Sequence, residues 1–167
     1  MRAVRQAIAA DPDDRRARSD RIWAAVVTAT GLAAPARVML FEGLPTEPAT
    51  EGWFAWCRRH GIDALTPEVD GPDLRVQPGD VDPTLLDVVV VPGLAFTPDG
   101  RRLGQGGGHY DRFLPRLRPD CRTVGAGFAE QLVDDLPTEP HDVRLDVVVT
   151  DVHARSGRDS LRRGLGG

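Results

Sequence analysis

Twelve consecutive residues, Arg101-Arg102-Leu103-Gly104-Gln105-Gly106-Gly107-Gly108-His109-Tyr110-Asp111-Arg112, hold the side chains best spaced for chemistry. Four glycines fall within five positions, flanked by two arginines and a Tyr-Asp-Arg triplet. A backbone without Cβ atoms can turn sharply and bring N–H groups against a ligand. N–H groups so arranged form a concave anion site, to which arginine adds fixed charge and forked donors. Asp111 stands where a carboxylate could hold a metal that shares the ligand's charge. The stretch predicts a polyphosphate cradle. It is neither a G-x-x-x-x-G-K-[ST] loop nor a dinucleotide fingerprint, which should follow a strand directly. The nearest strand-like run, Asp87 to Val91, ends well before Gly104, with Pro92-Gly93 and Pro98-Asp99-Gly100 turns between them.

Composition narrows the chemistry further. All 21 basic residues are arginine, so lysine Schiff bases and lysine-dependent phosphate loops are excluded. Arginine must fill every cationic role, and it gives up no proton near neutral pH. The net charge of −4 opposes a general affinity for nucleic acid. No apolar run has the length to cross a bilayer, and Met1-Arg2-Ala3-Val4-Arg5 lacks a signal-peptide core. Cys57 and Cys121 stand far apart, without metal-ligand spacing or a disulfide framework. A cytoplasmic protein is expected, without nucleic-acid or membrane partners, as a monomer or small homo-oligomer.

The elements that must position the cradle follow from periodicity. Ala3 to Ala10, Arg15 to Thr30 and Glu51 to His60 read as helices, with Asp11-Pro12-Asp13-Asp14 as a break and Gly61 as a stop. Arg37 to Phe41 and Ile62 to Thr66 read as strands. Leu86 to Val91, Arg122 to Phe128 and Leu145 to Thr150 are continuous apolar runs of the kind buried on both faces. Tyr110 to Leu117 predicts a short helix opening after the glycines, and Pro67 to Pro83 reads as loop. Strands alternating with helices imply an α/β single-domain, three-layer sandwich with a mainly parallel central sheet of Rossmann-like topology. Residues 1–152 would form that domain and residues 153–167 a flexible Arg/Gly-rich tail.

Two separate blocks together carry a resemblance. Val91-Pro92-Gly93-Leu94-Ala95-Phe96 runs on through Gly100-Arg101-Arg102-Leu103-Gly104 to Tyr110-Asp111-Arg112. Downstream lies Leu136-Pro137-Thr138-Glu139-Pro140-His141-Asp142-Val143-Arg144-Leu145-Asp146. In order and spacing they resemble the 5-formyltetrahydrofolate cyclo-ligase family, also called methenyltetrahydrofolate synthetase, with Glu47-Pro48-Ala49-Thr50 as a weaker match upstream. The resemblance implies an enzyme that uses ATP and Mg²⁺ to close 5-formyltetrahydrofolate into 5,10-methenyltetrahydrofolate, releasing ADP and phosphate.

Carried over, it makes Arg102, Leu103, Gly104, Gln105, Gly106, Gly107, Gly108, His109 and Tyr110 the ATP loop, joined by Arg5. Arg102, Tyr110 and Asp111 would act in catalysis, Asp111 and Asp146 would bind Mg²⁺, and Glu42 and Glu47 would contact the reduced folate. Residue types alone leave rivals open: His141-Asp142 as an acid/base pair or a turn, Trp53 and Trp56 as core. The family lysine four residues before Arg5 would fall on Met1, and His109 replaces a tyrosine. Between Pro67 and Leu86 the chain is shorter than the family pattern, so the pair of strands walling the folate is expected to be absent. That departure keeps two other readings in view: MgATP acting on another small N-acyl compound, and a non-catalytic nucleotide-binding protein.

Overall fold

The computed structural model describes residues 2–152 and 154–156, the last three by backbone alone. Its elements are α1 (Arg2–Ala9), α2 (Pro12–Thr30), β1 (Arg37–Met39), α3 (Glu51–Arg59), β2 (Asp63–Asp70), β3 (Asp73–Gln77) and β4 (Val88–Val91). There follow β5 (Ala95–Phe96), β6 (Arg102–Leu103), α4 (His109–Phe113), β7 (Arg122–Ala126), β8 (Val147–Val149) and β9 (Ala154–Ser156). The sheet order is β3-β2-β1-β4-β7-β8-β9, with β5 and β6 as a separate hairpin. Neighbours from β2 to β8 are parallel, and the two outermost strands are antiparallel. Counting only the parallel strands in chain order gives 2-1-3-4-5, a doubly wound order whose direction reverses between β1 and β4.

The valine run explains the layering. Successive strand side chains point to opposite faces. Val88 and Val90 accordingly join one core with Val38, Leu40 and Val124, while Val89 and Val91 join another with Met39, Phe96 and Phe113. The first core is covered by α2 and α3. Ser19, Ile22, Trp23 and Val26 are the buried residues of α2, one face at helical spacing. Trp23 stacks on Trp53 at 5.4 Å between centroids, and Phe41 meets Trp53 edge-on. Trp53 is fully buried and its Nε1–H donates to Ser19 O at 3.0 Å, so it is core, as expected. Asp11 caps α2 by accepting from the Asp14 N–H, and Pro12 fills the first turn.

Three expectations need correction. The stretch from Pro67 to Pro83 is not loop: β2 runs on to Asp70, turns through Gly71-Pro72 and returns as β3. Leu74 and Val76 are buried while Asp73 and Arg75 are exposed, a period-two pattern short enough to be lost among prolines and aspartates. Pro67 is tolerated because β1 pairs with β2 only as far as Leu65, leaving the proline outside the central ladder. The pair of strands expected to be absent is therefore present in abbreviated form. The helix after the glycines stops at Phe113 and continues as a 3-10 turn over Leu114–Arg116. Pro115 has no N–H to continue an α-helix. Finally, Ala154–Ser156 of the expected tail pair with β8; Met1 and the remaining tail residues lie outside the described residues.

Arg18 pins the helical layer to the sheet. Its side chain bonds Asp151 Oδ2 at 2.7 Å and Glu130, and its guanidinium lies 4.9 Å from the Phe128 centroid. Burial opposes ionisation of Asp151, but hydrogen bonds from Arg18 and Ala129 N–H, with the arginine's charge, hold its carboxyl below the ordinary 3.8. A carboxylate depressed in the folded state adds stability that is complete above its unfolded value and is lost as pH falls through the folded one. Arg18→Ala should cost about 3 kcal/mol near neutral pH, because it leaves Asp151 charged and buried. In urea titrations the gap to the wild type should narrow below pH 3.8.

Candidate functional site

A cavity of about 470 Å³ opens where β1 and β4 end, the crevice in which doubly wound sheets bind ligands. Pro92 and Gly93 follow β4 and form its floor, and every residue from Arg102 to Asp111 lines it. Pro67, Val69 and Leu74 of the β2–β3 hairpin supply an apolar wall. Glu47, Pro137, Glu139, His141 and Asp142 complete the enclosure.

The two adjacent arginines divide their tasks because alternate residues of a strand face opposite ways. Arg101 turns outward, pairing with Asp99 at 3.1 Å and Asp135 at 2.6 Å and donating to Leu136 O at 2.9 Å. It thereby fixes the start of the segment that carries Glu139 and Asp142. Arg102 turns inward, donates to Pro92 O at 3.0 Å and lies 5.1 Å from the Tyr110 centroid. Burial pushes its guanidinium below the ordinary value, partly offset by the charges of Asp111 and Asp142. No salt bridge engages Arg102 among the described residues. The arrangement is a desolvated cation facing a cavity, which favours an anionic ligand. Burial, with Glu47 nearby, pushes the Tyr110 phenol well up, so it stays protonated and can donate a hydrogen bond.

Gly108 ends the glycine run at φ 67, a left-handed conformation, and a Cβ there would lie 2.7 Å from Arg112 Nη1. His109 reaches across to Gly71 O at 3.1 Å and so carries its proton on Nε2.

Glu47 is placed by arginines from the helical layer. Arg15 donates to Glu47 O at 2.7 Å and Leu44 O at 2.8 Å, and Arg5 donates to Thr46 Oγ1 at 2.9 Å. The Glu47 carboxylate accepts from Leu44 N–H at 3.0 Å and is 6% exposed, buried at the cavity rather than solvated. The turn is tight enough that a Cβ on Gly43 would meet Pro48 O at 2.0 Å. Arg5 thus grips the Glu47 turn without lining the cavity, and Glu42 is exposed outside it.

The acidic residues separate in a way spacing alone did not reveal. Asp111 lines the cavity and accepts weakly, at 3.4 Å, from Val143 N–H, beside Asp142. Asp146 enters β8 with its carboxylate on the Thr123 N–H at 3.0 Å and hydroxyl at 3.2 Å, outside the cavity wall. Asp142 closes a turn by accepting from Glu139 N–H at 2.7 Å, and also faces the cavity. The ligand atoms of Glu139, His141 and Asp142 lie within 4.8 Å of one another. Residue types left Asp142 open between an acid/base partner of His141 and a turn, and gave Glu139 no role; the signal available was their place in the second matching block.

Residues 69–151 match the 5-formyltetrahydrofolate cyclo-ligase family. A 5-formyltetrahydrofolate cyclo-ligase of Escherichia coli K12 is 46% identical over 67 residues, 39% of this chain and 36% of its own length. One from Mycolicibacterium smegmatis is 41% identical over 64 residues, 38% and 33% of the two chains. The matched segment thus spans about a third of these relatives. A Mycoplasma pneumoniae homologue is 28% identical over 120 residues, 68% of this chain and 72% of its own. The fold is that of 5,10-methenyltetrahydrofolate synthetases solved from M. pneumoniae and Aquifex aeolicus. Their TM-scores are 0.75 and 0.76, each at 24% identity, over 90% and 94% of this chain and 98% and 92% of theirs.

The thiols take no part in the cavity. Cys57 and Cys121 are buried, and burial pushes them up to about 11 and about 12. Neither supplies a thiolate near neutral pH. Native protein treated briefly with a maleimide should gain no mass, whereas protein in urea should gain two labels by mass spectrometry.

Proposed function

We propose that the chain, whose residues 69–151 match the 5-formyltetrahydrofolate cyclo-ligase family, is an ATP-dependent ligase closing 5-formyltetrahydrofolate to 5,10-methenyltetrahydrofolate. The observation that carries this reading is the meeting, in one cavity, of the glycine loop, the inward cation Arg102, Asp111 and the buried Glu47. A phosphate-binding half and a half suited to ring N–H donors face the same space.

The chemistry asks for positioning and charge neutralisation. The formyl oxygen attacks the γ-phosphorus and the bond to ADP breaks; N10 then attacks the activated carbon, phosphate leaves and the N10 proton passes to solvent. Backbone N–H groups of Gly104 to Gly108 and the Arg102 guanidinium would hold the triphosphate in line for that transfer. The protonated Tyr110 hydroxyl would donate to a phosphate or formyl oxygen. Glu47, with little access to water, would accept from pterin N–H groups and fix the ring's orientation.

Mg²⁺ bound with the nucleotide would neutralise charge on the β- and γ-phosphates. The residues present fit it: Asp111, Glu139 and Asp142 offer hard oxygen donors on one side of the cavity. Asp111 and Asp142 are the pair we assign to the metal, because both line the cavity and Asp146 does not. The buried thiols suit a reducing cytoplasm.

A second reading keeps MgATP but changes the acceptor to another small N-acyl compound. It is favoured by the wall built from Pro67, Val69 and Leu74, which is aliphatic and short.

Purified protein with 5-formyltetrahydrofolate, ATP and Mg²⁺ should form the methenyl product, followed by near-ultraviolet absorbance with phosphate release in parallel. Formation without ATP or Mg²⁺, or none at all with MgATP bound, would overturn the folate reading. Asp111→Asn and Asp142→Asn should each lower kcat by about 100-fold. Asp146→Asn should lower the melting temperature while leaving the Mg²⁺ concentration dependence unchanged.

A further inference from the structure

The hairpin wall and the glycine loop are distant in sequence, and Arg112 joins them. Its Nε donates to Pro72 O at 2.7 Å, at the hairpin turn, while its Nη2 donates to Gly107 O inside the loop. The same guanidinium fills the space over Gly108 where a side chain would stand. Two other side chains of this segment reach the hairpin: His109 to Gly71 O at 3.1 Å and Arg116 to Leu74 O at 3.3 Å. Among the described residues, only Arg112 also bonds a carbonyl of the glycine run.

We infer that Arg112 is a positioning residue that couples the two halves of the cavity, so that a nucleotide on the glycine loop orders the hairpin wall against which the acceptor packs. This rests on the MgATP reading above. The physical reason lies in the fork of the guanidinium. Its donors are fixed in one plane, so a change in the direction of Gly107 O is transmitted to Pro72 O. The hairpin depends on such support: β2 leaves its partner β1 after Leu65, and β3 forms the sheet's outer edge. Arg112 bonds both the hairpin turn and the glycine loop. A residue bridging them makes binding at one favour binding at the other, as linkage requires of any shared equilibrium.

Hydrogen–deuterium exchange with MgATP alone tests this without any acceptor. In the wild type, MgATP should slow exchange at amides of residues 104–108 and, by about tenfold, at hairpin amides of residues 69–76. Arg112→Ala should keep the protection of the loop and lose that of the hairpin. Arg112→Lys should behave like alanine, since an ammonium cannot span both carbonyls in a fixed plane. His109 and Arg116 still hold the hairpin in both variants, so the fold survives. Hairpin protection that persists in Arg112→Ala, or returns fully in Arg112→Lys, would overturn the coupling. So would a protected loop beside an unprotected hairpin in the wild type. Loop amides that do not respond to MgATP in the wild type would instead refute the nucleotide reading, and the coupling with it.

Discussion

The burial of β4 on both faces is the constraint from which the site follows. Four consecutive valines lose their contact with water, two into each core layer, and each such side chain is worth about 1.5–3 kcal/mol. A strand held in this way cannot shift register without driving its neighbours out of both cores. Its carboxyl end is therefore a fixed point, and Pro92-Gly93 leave it as the cavity floor. Pro92 O then orients Arg102. Gln131, almost fully buried, donates to Gly93 O at 2.8 Å and Leu94 O at 3.2 Å, so the floor is held from below as well.

Around that fixed point the chain uses arginine as its fastener. Arg15 and Arg5 grip the turn that buries Glu47, Arg18 ties α2 to the far end of β8, and Arg101 anchors the approach to Glu139 and Asp142. Their donors end on backbone carbonyls and side-chain oxygens alike, and a planar fork with several N–H groups can satisfy two acceptors at once. Arg102 differs in lining the cavity while desolvated by burial, so its charge favours an anion there. The separation of roles between identical side chains comes from strand alternation and burial, not from composition.

Much of the architecture was legible from the residues. The valine runs, the Asp-Pro break before α2 and the glycine-rich loop are local signals, and each element stands within a few residues of its expected place. The β2–β3 hairpin was not legible, because its pattern spans five residues and is interrupted by residues that usually mark loops. The length of α4 was misread because one proline outweighed the apolar spacing around it.

Sequence alone determined the kinds of side chain available: a glycine-rich loop flanked by arginine and without lysine, carboxylates near it, and a parallel sheet to carry them. It did so because turn-forming glycines, apolar periodicity and residue type act over short range. Tertiary structure decided which acids face the cavity. Asp142 faces the cavity and Asp146 does not, because β8 pairs beside β7 in a register that sets Asp146 against Thr123. Glu47 is buried only because two helical arginines draw its turn inward, and Arg112 bridges loop and hairpin only because β3 packs beside α4. Side-chain direction depends on contacts between residues far apart in the chain, and no local pattern encodes it.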